Sequence, residues 1–503
     1  MSNLKKAAIW TTLLALVLKV SGFIREAIVS KQFGASAETD AYFLAFGFIT
    51  LVVAMISTGF NNVFLPMYVK SRKAGDPNSD ANANALLNWT MMLFFAVSFL
   101  GWNFAGSFVP FIYGDMAPAT EVLAVEMTEL FFAFMTVIAL GALLDSYLQS
   151  RRIFVPSQVA KLLATLGAAL FALFFSDIWG IFSLVYGFIA GTAVGVTVQV
   201  IALLRSDYEW KLTFKMDRAF RNTFIALIIP SLLNSVVGQI NLFVNRYFAS
   251  GTEEAAVTYL NNASLITSIP NAIYATTLAA IIFTLMSEQT DNVAKFRETV
   301  FRGMEVSVVT LVPIAVGLLV VGDAAVAFIY ERGKFTPDDT ANTYLVLLLY
   351  LPIIIFQGMQ LILSKSMYAR GKTAVVFRIS VTTIAINIAM NWLLVDKYGY
   401  PALAVSASIV SVYYFTVSMI VVYNDLGMDE FKKFVRMASR VVLPATIMGL
   451  SVWGAKQLFG ATEWLPIIQL AVLVPIGVIV YAIGLRIFYR DGFNRFVGLV
   501  RRS

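Results

Sequence analysis

The sequence predicts an all-α polytopic membrane protein of about fourteen transmembrane helices, and three observations carry that expectation. Of its 503 residues, 59% are hydrophobic and only 13% charged, with a mean hydropathy of +0.78, far from the composition of a soluble domain. Apolar runs recur along the chain at close to the ~20 residues that a helix needs to cross a ~30 Å hydrocarbon core. Lysine and arginine, finally, are dense in every second loop and sparse in the rest.

The apolar runs lie at approximately residues 7–33, 39–69, 84–112, 122–149, 155–176, 180–204, 220–249, 255–286, 300–322, 342–368, 374–395, 401–424, 440–459 and 465–489. They are numbered here as spans 1 to 14. Span 1 opens directly behind MSNLKK with no small-residue cleavage site, so it is expected to be retained and not removed as a signal peptide. With the amino terminus placed inside, 29 of the 37 lysines and arginines fall on inner loops and ends, seven on outer loops, and Lys19 within a span. Cytoplasmic loops carry such an excess, so an even number of spans and two cytoplasmic termini are expected. The same bias accounts for the net charge of +7 with no nucleic-acid partner.

What is missing bounds the chemistry. The chain has no cysteine and no histidine, which removes disulfides, thiolate nucleophiles, the usual general base and the commonest metal ligand. The longest outer loop, GDAAVAFIYERGKFTPDDTAN (Gly322 to Asn342), is expected to lay its apolar stretch along the membrane surface as a short helix. No loop has room for a catalytic domain. An enzyme is therefore not expected, nor a cofactor or a bound metal.

Weak internal repeats suggest the domain organisation. SYLQSRR (Ser146 to Arg152) lies on SMYARGK (Ser366 to Lys372), and SKQFGA (Ser30 to Ala35) on NRYFAS (Asn245 to Ser250), at nearly equal offsets and equal expected depth. Parallel repeats of this kind build many transporters. Two pseudo-symmetric six-helix lobes are expected, 1–205 (spans 1–6) and 206–424 (spans 7–12), followed by 425–503 with spans 13–14 and a cytoplasmic tail.

The candidate site residues are the charges inside this apolar frame. Lys19 sits near mid-membrane on span 1, where a lipid-facing cation costs a few kcal/mol or more. It either pairs with Glu26, one helical face along, or faces a water-filled cavity. Arg25, Glu26 and Lys31 follow toward the outer end, and Asp40 opens span 2, where an acidic residue also favours a helix start. Arg25 projects about 120° from Lys19 on an ideal helix, so both share one face only if the helix bends, and Ser21 with Gly22 offers a place to bend. By the repeat, Arg246 is the counterpart of Lys31. A cavity lined by such cations attracts anions, and phosphate or pyrophosphate suits their donors. Span 7 also carries Asn234, Gln239, Asn241 and Asn245, and span 11 carries Asn387 and Asn391 one turn apart; interhelical hydrogen bonding is the simplest use of these amides. Asp145, with Glu126 and Glu129, is a candidate for proton coupling or, more simply, for helix-end solvation or internal pairing.

These residues carry a family likeness. SGFIREAIVSKQFGASAETDAYFLAF (Ser21 to Phe46), NNVFLPMY (Asn61 to Tyr68), FIYERGKFTPDDT (Phe328 to Thr340) and SMYARGKTAVVFRISVTTIAINIAMNWLLV (Ser366 to Val395) resemble the MviN/MurJ family of lipid II flippases, within the multidrug/oligosaccharidyl-lipid/polysaccharide exporter superfamily. The resemblance implies fourteen helices in two lobes and movement of an undecaprenyl-pyrophosphate-linked glycan to the outer leaflet. It implies Arg25 and Lys19 as cavity cations, with Glu26 standing where the family usually has Asp and Asp40 matching the acidic residue of span 2. The chain departs from the pattern at Val52 and Val53, where a basic pair is usual, at Ser57, where an acid is usual, and at Ser264, Leu265 and Ile266, where an arginine motif is usual. Where some members carry sodium-binding carboxylates, Asn245, Asn387 and Asn391 stand, a weak set for a hard cation.

The expected function is thus a flippase of the bacterial cell (inner) membrane for a lipid-linked glycan precursor of peptidoglycan synthesis, lipid II first. The expected substrate-binding residues are Lys19, Arg25, Glu26, Lys31, Asp40 and Arg246, with Asn245, Asn387 and Asn391 as polar or coupling positions. The alternatives are export of an exopolysaccharide or teichoic-type intermediate and, behind it, drug/cation antiport, which calls for cavity carboxylates. Membrane lipids and other cell-wall synthesis proteins are the expected neighbours.

Overall fold

The computed structural model describes residues 2–114, 116–274, 286, 289 and 292–500. Among them every regular element is helical. The helices are α1 (Ser2–Phe33), α2 (Ala37–Gly59), α3 (Leu65–Lys73), α4 (Ser79–Tyr113), α5 (Pro118–Ala133), α6 (Met135–Ser150), α7 (Val155–Trp179), α8 (Phe182–Leu204) and α9 (Arg218–Ser250). They continue as α10 (Ala256–Tyr274), α11 (Val293–Tyr330), α12 (Pro337–Ala369), α13 (Thr373–Tyr398), α14 (Pro401–Leu426), α15 (Met428–Leu458), α16 (Pro466–Phe488) and α17 (Arg490–Val500). The protein is thus an all-α polytopic membrane protein. Among the described residues, ten helical stretches are long and apolar enough to cross a membrane, and eleven if the bent pair α5 and α6 forms one span. The remaining expected spans, 1, 7 and 8, coincide with α1, α9 and α10; residues 275–285 of span 8 and the side chain of Asn234 lie outside the described residues.

Two compact units form, Met1–Thr258 with Arg332–Phe335, and Tyr259–Glu331 with Thr336–Ser503. In the first unit α7 and α8 meet along small residues. A Cβ placed on Gly191 would stand 2.9 Å from the Ala164 Cα, and one on Gly195 2.8 Å from the Ala160 Cα, so the backbones touch. Without a hydrophobic drive between helices in lipid, such backbone approach is what association uses. Between α5 and α6 the axis turns by 58° at Phe134. At the bend the Phe132 carbonyl accepts both the Phe134 N–H and the buried Ser98 hydroxyl of α4.

Between α2 and α3 the chain forms a π-helical turn, Phe60–Phe64. Pro66 has no N–H to give to the carbonyl four residues back, so the α-helical ladder is already interrupted there. Asn61 in this turn bonds the Ser146 hydroxyl at 2.7 Å.

The segment 205–217, joining α8 to α9, runs across α4 as an extended strap. Its carbonyls are taken by amides of α4: Asn84 Nδ2 donates to Glu209 (2.9 Å), and Asn88 Nδ2 to Lys211 (3.0 Å) and Thr213 (2.9 Å). Asn82 bonds Asp217 through both backbone and side chain, each at 2.8 Å. A strap without its own ladder needs such partners wherever water is scarce.

The second unit is built on α11, α12, α14 and α15 around a core that includes Met304, Val309, Ile354, Ile362 and Val441. The apolar stretch after Gly322 does not form a separate surface helix as expected; it continues α11 to Tyr330. Ala and Val favour no stop there, Tyr330 is fully buried, and Asp323 is held by Lys456 at 2.6 Å. The turns after α6 and α12 match: Ile153 N–H bonds the Leu148 carbonyl and Lys372 N–H the Met367 carbonyl, each at 2.9 Å, with left-handed backbone at Arg152 and Gly371. These are Schellman closures, the geometry a helix C-terminus uses to satisfy its last carbonyls.

Candidate functional site: a charged cavity in the first unit

A cavity of about 360 Å³ opens among α1, α2, α6, α7 and α8. Its lining includes Arg25, Phe46, Val53, Ser57, Asp145 and Lys161. The walls are mostly apolar, which leaves the charged residues as the groups that set what it accepts.

Arg25 reaches the cavity from α1. Its guanidinium pairs with Glu26 and lies 4.9 Å from the centre of the Phe46 ring. Glu26 is 3% exposed. The Lys19–Glu26 pairing considered from sequence is therefore replaced by a pairing of neighbours, and Lys19 is exposed on α1 away from the cavity lining.

Across the cavity, Asp145 of α6 is 1% exposed and both its oxygens are engaged. Lys161 Nζ of α7 stands 2.6 Å from Oδ2, and Gln199 Nε2 of α8 donates to Oδ1 at 2.8 Å. Of the uses the sequence offers Asp145, internal pairing is the one found. Lys161 counts as an inner-loop cation on charge placement alone; the limits of span 5 already enclose it, and that was the available signal. Gln199 carries none in the sequence.

The remaining candidates lie elsewhere. Asp40 is buried near the start of α2 and accepts from the Thr258 N–H (2.8 Å) and the Thr258 hydroxyl (2.6 Å), which ties α2 to the first turn of α10. A carboxylate there offsets the positive end of a helix. Just before it, Ser36 and Thr39 close a capping box. Lys31 is exposed, and its carbonyl accepts the Lys334 N–H at 3.0 Å. Gly34 and Gly333 both adopt left-handed backbone at this contact, and a Cβ on Gly34 would stand 2.7 Å from the Lys334 carbonyl oxygen. The ERG-x-F-T segment thus has a geometric reason for its glycine. Arg246 of α9 packs against α2 where Gly47 leaves room for it, and Nη1 is buried without a hydrogen-bond partner. Asn245 is half-buried on α9, and in the second unit Asn387 and Asn391 of α13 are buried one turn apart.

Among the described residues no group of three or more acidic residues is placed to hold a metal ion. A helical membrane frame, with Arg25, Lys161 and Asp145 set in an otherwise uncharged cavity, defines a multi-pass membrane protein with a charged site inside its first unit. The family model described as "Lipid II flippase MurJ" matches residues 29–474, and the chain belongs to that family. A probable lipid II flippase MurJ of Buchnera aphidicola (subsp. Acyrthosiphon pisum) is 24% identical over 417 residues, 81% of this chain and 82% of that one. One of Vibrio cholerae is 23% identical over 491 residues, 92% and 91% of the two chains. Among solved structures, one titled "Lipid II flippase MurJ, inward closed conformation" superimposes with a TM-score of 0.82 at 23% identity, covering 96% of this chain and 99% of that chain. An inward-facing multidrug resistance MATE family transporter reaches 0.69 at 12% identity, covering 86% and 99%. These structural likenesses are likenesses of fold.

Proposed function

We propose that this chain is a flippase that carries an undecaprenyl-pyrophosphate-linked glycan precursor, lipid II for peptidoglycan synthesis, from the inner to the outer leaflet by alternating access. The observation that carries this reading is family membership across residues 29–474. The cavity agrees with it, because its lining sets the donors of Arg25 and of the Asp145-paired Lys161 in an apolar frame, suited to a phosphate-bearing head group. The chain acts without catalysis, in the bacterial inner membrane, with both termini cytoplasmic as the positive-inside bias favours. Fourteen spans form two pseudo-symmetric lobes at 1–205 and 206–424, with 425–503 appended; the equivalent Schellman closures after α6 and α12 support the repeat, while α9 packs in the first compact unit.

Arg25 is the binding residue of first rank, with Lys19, Glu26, Lys31 and Arg246 around the path and Asp40 as a positioning residue. Asn245, Asn387 and Asn391 serve as polar or coupling positions. Cell-wall synthesis proteins are its neighbours in the membrane. Depleting the protein and identifying the polyprenyl-linked sugar that builds up on the inner leaflet tests the reading: lipid II is expected, and accumulation of no such lipid overturns it.

A further inference from the structure

The cavity that holds Arg25 contains a second cation, and the two partners of its ion pair differ in exposure. Here Asp145 is sealed, with both oxygens engaged by Lys161 and Gln199, whereas the Lys161 side chain is 47% exposed. An ammonium has three N–H donors, and the Asp145 contact at 2.6 Å accounts for one. One buried donor of another lining residue, Arg25 Nε, has no hydrogen-bond partner. The α2 residues of the lining, Phe46, Thr50, Val53 and Ser57, carry no charge. The cavity therefore has charge at two places, spare donors at both, and a volume of about 360 Å³, within the size range of small-ligand sites.

We propose that Lys161 is a second phosphate-gripping cation of this cavity, that Asp145 and Gln199 act as positioning residues that hold its ammonium toward the space, and that Arg25 and Lys161 together select a diphosphate. This rests on the flippase reading and adds to it. One cation recognises a monophosphate as well as a diphosphate; two cations set apart on α1 and α7 favour the group that reaches both. Lys161 keeps its bond to Asp145 while a phosphate oxygen takes a second donor, so no buried carboxylate is left unpaired when the ligand arrives, an event that is costly in a low-dielectric interior.

The test is equilibrium binding of undecaprenyl diphosphate, undecaprenyl monophosphate and inorganic diphosphate to the full chain in nanodiscs of phosphatidylethanolamine and phosphatidylglycerol. Lys161→Met is expected to weaken undecaprenyl diphosphate binding by about 10- to 100-fold, the worth of one charge-assisted hydrogen bond, with a smaller effect on the monophosphate. Lys161→Arg restores most of it. Because Lys161→Met leaves Asp145 without its cation, Lys161→Met combined with Asp145→Asn is measured beside it; this pair removes both charges and should show the same loss at unchanged helicity and melting temperature. Loss of binding in Arg25→Gln with full binding in both Lys161 variants overturns this proposal and leaves the flippase reading standing. Full binding in all of them overturns the cavity as the phosphate site altogether. Competition by inorganic diphosphate that vanishes with Lys161 assigns recognition to the diphosphate itself; Lys161 dependence seen with the lipid alone assigns it to the lipid-linked form.

Discussion

Arg25 and Arg246 stand against adjacent residues of α2 and are treated in opposite ways. Arg25 rests over the ring of Phe46 and has a carboxylate beside it in Glu26. Arg246 lies against Gly47, its Nη1 buried without a hydrogen-bond partner and with no ion pair among the described residues. A guanidinium paired in low dielectric is held in place by its carboxylate and meets an anion with its remaining N–H donors. An uncompensated one keeps its full attraction for an arriving anion, at a standing cost to the fold. The glycine at 47 is what admits the second arrangement, since any side chain there would occupy the guanidinium's place.

The largest effect is expected from breaking the first arrangement. Arg25→Glu puts two carboxylates side by side in the cavity, and it should abolish complementation of a flippase-depleted strain at normal protein level; unimpaired growth would contradict the role given to Arg25. Next comes Gly47→Leu, which leaves Arg246 in the chain and evicts it from its place. Transport in reconstituted vesicles should fall about 10-fold or more, as for loss of a charge-assisted contact, and Arg246→Gln should fall alike. Asp40→Asn weakens the tie to Thr258 and should lower unfolding stability by about 1–2 kcal/mol, read as a drop in melting temperature.

The smallest effect belongs to the surface pair of Arg72 and Arg151 with Asp207, beyond the end of α8. Partial burial pushes the Asp207 carboxyl up, but the two guanidiniums outweigh this and hold it below its ordinary value. A depressed folded-state value means that the contribution is present above the unfolded carboxylate range, about pH 4, and is lost as pH falls through the folded value. Melting curves should therefore show a difference between wild type and Asp207→Asn at pH 6 that shrinks below about pH 4, and it should be under about 1 kcal/mol because the Asp207 carboxylate is largely solvent-exposed.

The fold class was legible because it depends on composition and on run length, quantities that every residue reports. Arg25 and Glu26 were legible for a related reason: charge inside an apolar run is conspicuous, and the two are sequence neighbours. The Asp145, Lys161 and Gln199 cluster was not, because its members come from three helices and each one alone reads as an end-of-helix polar residue. Asp40 had the reverse history. Its position at a helix start suggested its own helix as partner, whereas it also serves α10, more than 200 residues further along, and no local pattern encodes that. The strap shows the same limit. Asn82, Asn84 and Asn88 are visible in NANALLNW, but the carbonyls they satisfy belong to a segment past four intervening helices.

The seam between α7 and α8 also constrains movement. Where Gly191 and Gly195 let one backbone rest on the other, neither helix can slide by a turn without driving side chains into main chain, so the pair has no slip plane. It must travel as one rigid strut, carrying Lys161 and Gln199 together. Any change in the width of the cavity is then left to the elements facing that strut. Of these, α6, which carries Asp145, begins at the 58° elbow with α5, where the regular helical ladder is interrupted.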